Sequence, residues 1–159
     1  MSIETPYLLF LGDAPDQLAA KVAIGISHWR PDNCVGQLRL PGCQADCHVT
    51  DMTIEEAVEA GARTMVVGVA NRGGLISEEW KAVLKQALDA GLHLASGLHN
   101  RLGDIPELVE TARERGLQLH DVRHPTQSFE VGNGKPRQGQ RLLPVGTDCS
   151  CGKMYTALA

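Results

Sequence analysis

The densest chemistry in the sequence lies near its end, in Gly146-Thr147-Asp148-Cys149-Ser150-Cys151-Gly152-Lys153-Met154-Tyr155. A glycine-rich turn that follows a strand and opens a helix lets backbone N–H groups converge on an anion, and a lysine adds a point charge. Five residues separate these glycines, where the common phosphate-binding loop has four. Met154 stands where a Ser or Thr would ligate Mg²⁺, and Thr156 two residues on is a poor substitute. The spelling predicts phosphate binding, assigns the ten residues from Gly146 to Tyr155 to it, and assigns none to a metal.

Other polar groups stand directly after apolar runs. They are Gly12-Asp13, Asn71-Arg72-Gly73-Gly74, the stretch 96–101 with Ser96, His99 and Arg101, and Asp121-Val122-Arg123-His124-Pro125. In an open parallel sheet ligands sit beyond the carboxyl ends of the strands. These loops would meet at one rim, offering arginines for carboxylate or phosphate and histidines able to move protons near neutral pH.

The elements that must hold such a rim are legible as alternating apolar and helical stretches. Strands are expected at 7–11, 35–40, 64–69, 92–95 and 117–121. Helices are expected at 15–29, 53–61, 77–90 and 105–115. In the first helix Leu18, Val22, Ile26 and Trp29 carry the apolar period. Thr53 and Glu56 spell a capping box, and Gly61, Gly91 and Gly116 are expected to end their helices. The fold class is α/β: a doubly wound, mostly parallel sheet of about five strands with helices on both faces. A polar, Gly-rich stretch comes next, then a last strand at 141–145 that leads into the phosphate loop. Pro144 makes that strand awkward, because it removes a ladder donor. The organisation expected is a first domain at 1–131, a linker at 132–140, and at 141–159 the start of a second domain cut short.

Composition narrows the function classes. Aromatics are 4% of the 159 residues, so the core is built from aliphatic side chains. The net charge of −4 offers no basic field for nucleic acid or an anionic membrane. No run approaches the roughly 20 apolar residues of a membrane span, and the opening residues do not spell a secretory signal. Five cysteines (Cys34, Cys43, Cys47, Cys149 and Cys151) read as reduced thiols of a cytoplasmic protein. Cys43, Cys47 and His48 lack a second ligand pair at zinc-finger spacing.

The stretches YLLFLGDA, HWRPDNCVGQLRLPGC, GVANRGG, ASGLHNRL, DVRHP and RLLPVGTDCSCGKMYTALA resemble a bacterial two-domain family long labelled a domain of unknown function. That family pairs a Rossmann-like N-terminal domain with a P-loop domain, and a characterised branch is D-glutamate N-acetyltransferase. The resemblance covers essentially the whole chain and implies that the chain is the N-terminal half of a homologue. It implies transfer of acetyl from acetyl-CoA to D-glutamate, a small-molecule substrate, and a homo-oligomer. The substrate's carboxylates would suit Arg30, Arg39, Arg72 or Arg101, with Asn71 and Ser96 beside them. The general base would be His99, Asp13 or His124. Each has a structural alternative: Arg30 and Arg39 as surface charges, His99 and Arg101 as helix caps near Asp104, Asp13 as a turn. The GTDxxxGK spelling is also similar to that of dethiobiotin synthetase, which keeps an ATP-dependent reaction open. A non-catalytic nucleotide- or CoA-binding module is the third possibility.

Overall fold

The computed structural model describes residues 3–70, 75–124, 128, 134–135, 138–140, 142–145 and 156–157. The chain divides into two compact units, Met1–Thr126 and Gln127–Ala159.

The first unit alternates strands and helices: β1 Tyr7–Gly12, α1 Lys21–Trp29, β2 Cys34–Arg39, α2 Ile54–Glu59, β3 Thr64–Val67, α3 Glu78–Asp89, β4 His93–Ser96, α4 Pro106–Arg115 and β5 Leu119–Asp121. The strands form one sheet in the order β2-β1-β3-β4-β5, and every pair is parallel. Right-handed crossovers then place α1 on one face and α2, α3 and α4 on the other. One transverse row runs Leu38–Phe10–Val67–Ser96–Asp121. The loops leaving the strands' carboxyl ends therefore all project beyond the same edge of the sheet.

Burial explains why these residues form these strands. Leu8, Leu9, Phe10 and Leu11 are fully buried, as befits a central strand covered on both faces. Short apolar runs of this kind carry no alternation because neither face meets water. The expected capping box forms: the Thr53 hydroxyl accepts from Glu56 N–H, and the Glu56 carboxylate accepts from Thr53 N–H. The outer edge of β2 is covered by the chain's own return, since Gln37 N–H donates to Thr50 O and Met52 N–H to Gln37 O, each at 2.8 Å. Gly36 admits this approach, because a Cβ there would lie 2.5 Å from Thr50 O. An edge strand left open would pair with other chains.

Helix α1 differs from expectation in length and in face. Its regular turns begin at Lys21, and Leu18 (62% exposed), Val22 (38%) and Trp29 (38%) face outward. Ala20 and Ala23 face the sheet and are fully buried. The reason is distance: a Cβ on Gly68 would lie 2.3 Å from the Ala23 Cβ. At that crossing point there is room only for alanine, while Ile24 and Ile26 of the same helix pack against the core beside it.

In the second unit the expected strand at 141–145 is not present over the described residues 142–145. Leu142, Leu143 and Val145 are exposed there. A strand needs a ladder partner, and Pro144 removes one of the donors that would make it.

Candidate functional site

The rim begins where β1 ends. Gly12 has φ +52°, and a Cβ on it would lie 2.5 Å from the six-membered ring of Trp80, so glycine is required twice over. Asp13 comes next with its side chain exposed, and its Oδ1 accepts the Trp80 indole N–H at 3.0 Å. The neighbouring β1 and β3 are where the sheet order reverses, since β1 connects toward β2 and β3 toward β4. Ligands of open α/β sheets bind at such a switch point.

Two strands away, the loop after β4 is pinned from beneath. Ser96, buried, accepts Leu98 N–H on its Oγ. Asn100 Oδ1 accepts Ile76 N–H at 3.3 Å. The Asp121 carboxylate accepts Leu102 N–H at 2.7 Å and Gly103 N–H at 3.1 Å. Between these anchors His99 and Arg101 stand exposed. The Arg101 side chain caps nothing at the short 3-10 turn Leu102–Asp104, and α4 has no side-chain cap. Capping at this turn is the work of Asp121, not of His99 or Arg101. At the end of β5, His124 N–H donates to Asp121 O, and the His124 Nε2 is buried with no partner among the described residues.

At the opposite side of the rim, Arg39 is already paired. Its Nε donates to Asp51 Oδ1 at 2.7 Å, and its Nη2 makes a short contact with Asp51 Oδ2. That guanidinium holds the Asp51 carboxyl below the usual carboxylate range. Asp46 is lowered too, chiefly by the Gln37 amide and then by His48 N–H. Arg39 lines an open cleft of about 780 Å³ with Leu40, Met52, Glu55 and Val83. Nearby, burial pushes the Cys47 thiol up to about 11, far from a thiolate able to bind metal or react.

The remaining expected residues fall elsewhere. Arg30 follows α1 and precedes β2, so it lies at the sheet edge opposite the rim, where it donates to Trp29 O. The structure does not bring it together with Asp13, Ser96, His99, Arg101 and His124. Asn71 and Arg72 lie outside the described residues, as does the whole phosphate loop from Gly146 to Tyr155.

The helix starts at this rim are filled by the chain itself. Ala23 N–H at α1 donates to Gly68 O. The α2 start has its capping box with Glu55 beside it, and the α3 start has Ser77 with Glu78 and Glu79. Asp121 occupies the turn before α4. A pyrophosphate would meet carboxylates and used donors there, whereas dinucleotide folds offer free N–H groups. The sequence places Asn100 and Asp121 in the rim loops without a role and does not point to Trp80 at all; their long-range contacts reveal what each one holds.

Fold and rim together define a doubly wound α/β unit whose polar loops gather beyond one edge of a parallel sheet. Residues 38–125 match the family model described as a domain of unknown function, DUF1611_N, a Rossmann-like domain, and the chain belongs to this family. It is 65% identical over 157 residues to a D-glutamate N-acetyltransferase of Tritonibacter scottomollicae, covering 99% of this chain and 47% of that protein. It is 44% identical over 159 residues to a D-glutamate N-acetyltransferase of a Pseudoalteromonas species, covering 100% of this chain and 48% of the relative. The chain thus spans about half the length of the curated relatives it matches. A crystal structure of a DUF1611 family protein from Anabaena variabilis is similar with a TM-score of 0.67 at 22% identity, over 82% of this chain and 40% of that one. That likeness is one of fold. Among the described residues no helix is long and apolar enough to cross a membrane.

Proposed function

We propose that the protein is an N-acetyltransferase that moves the acetyl group of acetyl-CoA to the amino group of D-glutamate, and that this chain supplies the acceptor side of its site. The observation that carries this reading is the identity, over essentially all of the chain, to two proteins bearing that name. The rim suits the acceptor. Arg101 offers a guanidinium for a carboxylate, Asp13 a carboxylate for the ammonium, and His99 an imidazole to take its proton. The freed amine attacks the thioester carbonyl; the N–C bond forms, the S–C bond breaks, and the thiolate leaves to be protonated. Phosphates of the donor do not suit the carboxylate-filled helix starts of the rim. They suit the loop from Gly146 to Lys153, whose glycines and lysine have the chemistry for them and whose Met154 offers no metal ligand.

The test is a thiol-release assay on the full-length protein with acetyl-CoA and D-glutamate, run beside a phosphate-release assay with ATP. Thiol release that depends on D-glutamate is expected. Phosphate release without it would assign an ATP-dependent reaction instead, and neither activity would leave a binding module.

A further inference from the structure

We propose that Trp80 is the positioning residue for Asp13, and that it acts on the acceptor amino acid through that carboxylate. The inference rests on the reading of Asp13 as a group of the acceptor site. One indole is read by three positions at the end of β1. Its ring meets Phe10 edge to face, with centroids 5.4 Å apart and planes at 84°. It lies so close to Gly12 that a Cβ would overlap it. Its N–H donates to Asp13 Oδ1 at 3.0 Å.

The ring itself cannot drift. Trp80 is 3% exposed, and it stands in the first turn of α3, where its own N–H donates to the Ser77 hydroxyl at 3.2 Å. The residue before the Ser77 cap receives the β4 loop, through Ile76 N–H and Asn100 Oδ1. The start of α3 is therefore a common frame for Asp13 on one side and the His99–Arg101 loop on the other. A phenylalanine or leucine would fill the hole as well but would bring no donor. A buried indole N–H finds a partner where it can, and here that partner is a carboxylate at the switch point. With Oδ1 held, Asp13 has one oxygen left to face a ligand, in a fixed direction.

The experiment is a double-mutant cycle in the full-length protein, reading kcat and KM for each substrate with Trp80→Phe, Asp13→Ala and the pair. Loss of one hydrogen bond to a charged group corresponds to about tenfold or more. Trp80→Phe is expected to lower kcat/KM for D-glutamate about tenfold, with KM for acetyl-CoA unchanged. In the Asp13→Ala background, where the indole N–H has no side-chain acceptor left at position 13, that penalty should vanish. A penalty that persists in full without the carboxylate, or one that falls equally on both substrates, overturns the proposal. Should Trp80→Phe fail to fold, benzothienylalanine at position 80 keeps the ring shape and removes only the donor. The contact is read independently by ¹H–¹⁵N NMR of the 159-residue chain, where Asp13→Ala, which removes the acceptor, should move the Trp80 indole resonance. An unmoved resonance overturns the contact. A moved resonance with wild-type kinetics in Asp13→Ala overturns Asp13 as an acceptor group, and the positioning role with it.

Discussion

Arg39 and Arg101 both stand at the carboxyl edge of this sheet, and their surroundings differ in kind. Arg39, at the end of β2, is engaged by Asp51, lies 4.0 Å from Asp46, and sits above the buried Gln37 that binds both carboxylates. Its charge is neutralised within the molecule, and it ties the returning segment to the sheet edge. Arg101, after β4, is exposed on a loop whose anchoring is done by Ser96, Asn100 and Asp121. One region uses its polar groups to hold itself together; the other is held by its neighbours and leaves its charged heads available. A charged side chain is a good candidate for ligand binding when other groups do its structural work.

The sharpest way to break this contrast is at His99. If the β4 loop works as proposed, His99→Ala in the full-length protein lowers kcat by about 10²–10⁴, the usual reach of a general base. KM for acetyl-CoA and Tm should stay put. Activity and Tm falling together would return His99 to a structural part and erase the difference between the regions.

On the other side the expected damage is to stability. Gln37 is 1% exposed, donates to Asp46 and Asp51, and accepts Cys47 N–H. Gln37→Ala strands a buried donor and loosens two carboxylates, at a cost of roughly 2–4 kcal/mol. Urea unfolding of this chain measures it, and a loss below about 0.5 kcal/mol would mean that the network is ornamental. A direct exchange of roles comes next. Arg101→Ala should raise KM for D-glutamate about ten- to a hundredfold, the worth of one charge-assisted contact. Arg39→Ala should leave that KM alone and cost about 0–1 kcal/mol, since its pair is well solvated. The reverse outcome would move the acceptor site to the β2 side and its cleft.

Much of the fold was legible in the sequence, for a local reason. Strands buried on both faces are continuous apolar runs, and the capping box of Thr53 and Glu56 is closed within three residues. Helix α1 was legible as a helix but not in its orientation, because the deciding contact joins Ala23 to Gly68. The candidate site was legible only as a set of loops. Arg39 and Arg101 look alike in sequence until Asp51 is seen folding back over 12 positions. Asp13 gains its partner from 67 residues away, and no local pattern announces that. Arg30 is the reverse case. The connectivity of α1 to β2 puts it at the far edge of the sheet, and the alternation of elements already contained that placement.

The smallest expected effect concerns pH, and it tests whether the β5 side is held as firmly as the loop it supports. His120 is 2% exposed, with Nδ1 lacking a partner among the described residues. Burial lowers its pKa first, the nearby His93 lowers it further, and Glu4 opposes them. The unfolded chain therefore takes up a proton near pH 6.5 that the folded chain refuses. Stability is then flat above that pH, falls as pH drops below it, and levels off once the folded pKa is passed, with a slope of at most about 1.4 kcal/mol per pH unit. β5 carries Asp121, which holds Leu102 and Gly103, so the loss should appear first as faster exchange at those two amides. His120→Phe removes the titrating group and a buried nitrogen without a partner. It should flatten this part of the pH profile and leave stability at neutral pH equal or higher. A variant that keeps the full slope would shift its origin to another group, and one that unfolds at neutral pH would show that His120 has a partner it depends on.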